Sequence, residues 1–203
     1  MKLQNLLSAL LLSIVLLGLP GCAHYRAKPL RTLKNFQITN EQSLSFTYKV
    51  FDVADCKKYL DRNTIVKGYQ PIQITFMNNT DRYIKISPES FTLTCYYPQD
   101  VSVTVHTNTT KRVLGYGIAG LVFWPLLIPA VVDGIGSEKA NQKLDIDFTH
   151  KSLQRQVVKP YSSINRLIFV SCEDYNQNFS LKVEDQKTNE SFTLSTTQPK
   201  LII

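Results

Sequence analysis

Apolar and polar side chains alternate with a period of two along much of this chain. Leu44, Phe46, Tyr48 and Val50 alternate with Ser45, Thr47 and Lys49, which is how a strand with one buried face reads in sequence. Ile72, Ile74 and Phe76 predict a second strand. The turn residues Asn78-Asn79-Thr80-Asp81 follow it, and Ile84 and Ile86 open a third strand that Pro88 ends. Phe91, Leu93 and Cys95 predict a fourth strand, and Val101, Val103 and Val105, alternating with Ser102, Thr104 and His106, predict a fifth. After an interruption come the apolar run 167–170, then Phe179, Leu181 and Val183, and finally Phe192 and Leu194 beyond a polar hairpin loop.

Two stretches read as helix instead. Residues 52–63 have helical composition with Asp52 as the N-cap. Residues 137–153 begin at Ser137 as a second N-cap, carry Glu138 in the first turn, and set Ala140, Leu144 and Phe148 on one stripe. Just before that helix the stretch 113–132 holds no charge at all. As one helix it would span about 30 Å, the thickness of a bilayer core. Gly115, Gly117, Gly120, Pro125 and Pro129 oppose a straight helix, and a crossing would split the flanking strands between two compartments. A bent hairpin is expected, and three roles stay open: extra core, membrane contact or a partner surface. The last two fall to Leu121, Phe123, Trp124, Leu126, Leu127 and Ile128. The fold class that follows is mostly β: an antiparallel, immunoglobulin-like sandwich of about seven to eight strands. A short helical connection and one longer helix after the apolar insertion complete it; a small barrel carries the same strand signature.

The N-terminus is of another kind. Lys2 is its one charge before the uncharged, largely apolar run 6–19, which leads into Leu19-Pro20-Gly21-Cys22-Ala23. A positive start, an apolar stretch and small residues at the end make a secretory signal peptide. The motif resembles the lipobox of bacterial lipoproteins, with Leu19 three residues before Cys22 and Gly21 directly before it. That resemblance implies diacylglycerol on the Cys22 thiol, palmitate or another acyl chain on its freed amine, and a protein anchored by several chains on the periplasmic side of a membrane. Ala23 after the cysteine implies the outer membrane rather than the inner. Ordinary cleavage after Ala23 with release of a soluble protein, or an uncleaved anchor, are the other readings of these residues. The layout expected is thus a signal peptide over 1–21, a lipid-anchored basic tether over 22–35, and one sandwich domain over 36–203.

Charge sharpens the picture by exclusion. The 203 residues carry 23 Lys and Arg against 16 Asp and Glu. Lys2, Arg26, Lys28, Arg31 and Lys34 lie in the leader and tether, and what remains is nearly balanced. A nucleic-acid binder would show a basic face on the domain with stacking aromatics, so no nucleic-acid partner is expected. With 43% hydrophobic and 10% aromatic residues the chain can bury enough apolar surface to fold.

Motifs for chemistry are sparse. Gly115-Tyr116-Gly117-Ile118-Ala119-Gly120 matches G-x-G-x-x-G, but Pro125 interrupts the helix that a dinucleotide site requires, and no cofactor is expected. His24, His106 and His150 stand apart without metal-ligand spacing, so no metal is expected. The carboxylate pairs Asp145/Asp147, Glu173/Asp174 and Glu184/Asp185 could cut glycosidic bonds only if they faced a cleft. Cys56, Cys95 and Cys172 leave room for one disulfide, ends unassigned, or for buried free thiols. No catalytic residue is assigned. The function expected is a non-catalytic, lipid-anchored envelope protein that binds or scaffolds envelope components, an envelope protein partner among them; the alternative is an envelope hydrolase acting on glycan or lipid.

Overall fold

The computed structural model describes residues 24–33, 38–39, 43–107 and 127–196, with 38–39 and 127–135 given by backbone path alone. They fall into two compact units. The first holds the described residues 24–25, 107 and 127–143; the second holds every strand. Residues 127–143 group apart from the sheets.

The second unit is mostly antiparallel β in two sheets. Strands β1 (Ile38–Thr39), β2 (Leu44–Val50), β3 (Tyr69–Asn78), β7 (Ser162–Ser171) and β5 (Cys95–Tyr96) form one sheet in the order β1-β2-β3-β7-β5. Strands β6 (Gln156–Val158), β4 (Ile84–Ile86), β8 (Ser180–Asp185) and β9 (Ser191–Ser195) form the other, in that order. One buried cluster draws on both: Leu44, Phe46, Ile72, Ile74, Phe76, Ile168 and Val170 from the first sheet meet Ile84, Ile86, Val158, Leu181, Val183, Phe192 and Leu194 from the second. That is a sandwich, and its inner faces are the ones the period-two alternation picked out. In register, Phe46 sits opposite Phe76, Tyr48 opposite Ile74, and Ile72 opposite Ile168.

The outer face of the first sheet is covered too. Helix α1 (Val53–Tyr59) begins at Asp52, whose Oδ1 accepts from the Asp55 amide at 2.7 Å while Asp55 reaches back to the Asp52 amide, a capping box. Helix α2 is Pro98–Thr104 and helix α3 is Leu127–Lys151. Tyr59, Leu60, Val101, Leu144 and Phe148 are buried together with Leu167 and Phe169, and the rings of Phe148 and Phe169 stack at 5.5 Å. Lys151, itself buried, donates to the Tyr59 carbonyl at 2.6 Å and to Asp147, tying the end of α3 to the end of α1.

Three expectations change. The strand expected over Val101, Val103 and Val105 is helix α2: Val101 and Val105 are buried while Val103 is exposed. Val101 and Val105 share a face at i, i+4 as readily as at period two, and Pro98 at the first turn favours the helix. The strand expected over Phe91, Leu93 and Cys95 pairs for only two residues, because the segment changes sheets. Phe91 bridges to Leu181 in the second sheet, and Cys95 and Tyr96 pair with Val170 and Phe169 in the first. Ser137 is not an N-cap but lies inside α3, ten residues after its first, with a buried hydroxyl that has no hydrogen-bond partner.

Candidate functional site

The tether is the first surprise. Over Arg26 to Leu33 it is a strap laid on the domain, not a free arm. Gln73 Nε2 donates to the Arg31 carbonyl at 2.6 Å, the Leu33 amide donates to Thr75 Oγ1, the Lys28 amide to the Lys58 carbonyl, and the Arg26 amide to Asp61. Gln73 also donates to Asn165 Oδ1, which accepts from Thr75 as well. Ser45, Thr47, Gln73 and Thr75 alternate outward from the sandwich core yet are buried. Polar residues on a sheet's outer face read as solvated in sequence, so the strap left no periodic signal there. At its Arg26 end, burial works to raise the Asp61 pKa. Hydrogen bonds from Lys57 and the Arg26 amide, with the charges of Lys57 and Arg62, outweigh that and hold it below the ordinary carboxylate value.

A polar knot joins α2 to α3. Ser102 on α2 is 1% exposed; its Oγ lies 2.6 Å from Asp145 Oδ1, and His106 Nε2 lies 2.7 Å from the same oxygen. Serine hydrolysis needs the histidine between serine and carboxylate, where it can take the hydroxyl proton. Here Asp145 stands in the middle, so the Ser102 hydroxyl meets a carboxylate and not the imidazole. Neither His106 nor Asp145 lines any of the described cavities.

A groove opens where the first sheet ends. Strand β5 covers two of the ten residues of β7, and the Leu153 amide donates to the Leu167 carbonyl farther along that edge. A cavity of about 600 Å³ lies there, walled by Leu93, Tyr96, Tyr97, Leu153 and Phe169. Glu89 and Arg155 also line it, 3.9 Å apart. The Ser87 hydroxyl, the Glu89 amide and the charge of Arg155 hold the Glu89 carboxyl below its ordinary value. Aromatic walls with a few charged groups are the composition of a recognition site. Tyr97, exposed at the second residue after the β5 pairing begins, carried no signal in sequence.

Cys56, Cys95 and Cys172 carry free thiols in the structure. Burial, with a smaller push from Glu89, raises the Cys95 thiol to about 12; burial also raises Cys56 and Cys172. Raised thiols are poor nucleophiles at neutral pH. Asp147 pairs with Lys151, and Asp185 accepts from the Lys187 and Thr188 amides to fasten the β8–β9 turn. Among the described residues no three His, Cys, Asp or Glu side chains gather as a metal would need, and no helix is long and apolar enough to cross a membrane. Cys22, Leu121, Phe123, Trp124 and Leu126 lie outside the described residues; Leu127 and Ile128 are backbone positions at the start of α3. Comparison with known protein families, curated proteins and solved structures finds no match.

Proposed function

We propose that the protein is a non-catalytic lipoprotein of the cell envelope, anchored through Cys22, which binds or scaffolds an envelope component through the groove at the β5 edge. The interposed Asp145 carries the non-catalytic reading: in the cluster of Ser102, Asp145 and His106 the imidazole bonds the carboxylate and does not reach the serine hydroxyl, unlike the order that serine hydrolysis uses. Leu19-Pro20-Gly21-Cys22 supports the anchor and Ala23 the outer membrane. Strand orders β2-β3-β7-β5 and β9-β8-β4 support an immunoglobulin-like sandwich, matching its A-B-E-D and G-F-C sheets. One departure is β6, which joins β4 only after the helices. Sandwiches of this kind recognise partners at loops and open edges, and β7 offers such an edge.

Two measurements test this in cells. Mass spectrometry of the mature N-terminus should find an acylated Cys22; an unmodified Cys22, or a start at Ala23 or beyond, removes the anchor. A photo-crosslinking residue at Tyr97 should give one discrete adduct, and the same residue at the equally exposed Tyr161 should give none. Equal labelling at both positions, or none at either, removes the groove.

A further inference from the structure

The strap that begins at Arg26 docks beside a basic surface. The Lys28 amide bonds to the Lys58 carbonyl at 2.9 Å and the Arg26 amide to Asp61 at 3.2 Å, so Arg26 and Lys28 lie against the end of α1, where Lys57, Lys58 and Arg62 are found. Five basic residues therefore share the end of α1. Asp61 is held by Lys57 Nζ and Arg62 Nη1, each at 2.9 Å, and Arg26, Lys28, Lys57 and Lys58 are exposed. Cys22 precedes Arg26 by four residues. At the most extended spacing it lies within about 14 Å of Arg26. A free tether over 22–35 would let the domain wander; a strap fixed from Arg26 onward starts four residues after Cys22.

We propose that the face formed by Arg26, Lys28, Lys57, Lys58 and Arg62 rests on anionic phospholipid headgroups of the membrane that holds the anchor, seating the sandwich in one orientation. This rests on the reading of Cys22 as acylated. Several acyl chains already supply residence on the bilayer, so the basic face acts on orientation more than on affinity. Its charge is felt over a Debye length of roughly 8 Å, so the effect requires the close seating that the short linkage imposes.

The test uses the full protein purified from envelopes in mild detergent and placed on two vesicles, one of phosphatidylcholine and one containing phosphatidylglycerol as well. Sedimentation with phosphatidylcholine vesicles reports the anchor alone. Amine acylation read by mass spectrometry reports the face: Lys28, Lys57 and Lys58 should react roughly threefold or more slowly on the anionic vesicles than on the neutral ones. Lys187, exposed on the β8–β9 turn of the other sheet, should not change. The protection should vanish near ~1 M salt, where the screening length is about 3 Å. In the variant Lys57→Glu/Lys58→Glu, Lys28 should lose its protection while sedimentation persists; Lys57→Gln/Lys58→Gln, which adds no acid beside Asp61, should lose part of it.

Equal reactivity on both vesicles would overturn the proposal while leaving the anchor intact. Failure to sediment with phosphatidylcholine, with salt-sensitive binding and protection on the anionic vesicles, would overturn the anchor and with it the seating through Cys22, leaving a basic face that holds anionic lipid by charge alone. Protection of the same size by heparin in free solution would overturn the assignment to a membrane and mark a general polyanion surface.

Discussion

Gly68 shows what a single residue decides. It ends the 3-10 turn Ile65–Lys67 with φ +87°, and an added Cβ would meet no atom within 4 Å. Gly68→Ala therefore isolates the backbone penalty of the left-handed region, about 1 kcal/mol. Urea unfolding should show a lower midpoint with an unchanged slope, and an unchanged midpoint would mean that the turn relaxes. Cys95 makes the second case. Its thiol is raised from 9.0 to about 12 by burial first and Glu89 second. The folded protein thus keeps the neutral thiol where the unfolded chain would ionise. The stability this contributes is complete below pH 9 and is lost as pH rises toward 12. Stability should fall along that limb and flatten in Cys95→Ala, and iodoacetamide at pH ~8 should label Cys95 far more slowly in the folded protein than in urea. Rapid native labelling would contradict the burial.

Among the elements, α3 departs most from its sequence reading. Ser137 has the composition and surroundings of an N-cap, following Gly134 and Gly136, yet the helix runs through it from Leu127 and buries its hydroxyl without a partner. The two readings give opposite signs. Removing an N-cap hydroxyl costs about 1 kcal/mol, whereas replacing an unpartnered buried hydroxyl by the best helix former should stabilise by roughly 0.5 to 1 kcal/mol. Thermal unfolding of Ser137→Ala should therefore show a higher midpoint; a lower one would return Ser137 to the helix start. Helix α1 is the contrast, since its capping box of Asp52 and Asp55 lies within four residues and was readable as a start signal. Helix α2 was not, because Val101 and Val105 fit both periods over so short a window.

For the molecule as a whole, the strap is what ties the N-terminal segment to the first sheet. Gln73, buried at 2% exposure, donates to both Arg31 and Asn165. Gln73→Leu removes both donors and should free the strap while the sandwich core, on the other face of the sheet, stays packed. Trypsin should then cut after Arg31 about tenfold faster or more, as expected when local opening is eased by a hydrogen bond or two. Thermal unfolding should remain cooperative. Unchanged cleavage would place the hold on Leu33 and Lys28 instead.

What the sequence determined alone is local: which face of β2, β3, β8 and β9 turns inward, where α1 starts, and that Leu19 to Cys22 has the form of a lipobox. A period of two or a capping residue acts over a few neighbours, so it can be read without knowing the chain's path. Only the tertiary structure decided that Phe91 and Cys95 serve different sheets, that Arg26 to Leu33 lies on Gln73 and Thr75, and that Asp145 stands between Ser102 and His106. Each of these joins groups dozens of residues apart. Hydrogen bonds of that span depend on where packing brings the backbone, and no local pattern of burial or propensity encodes which distant group will fill a donor's reach.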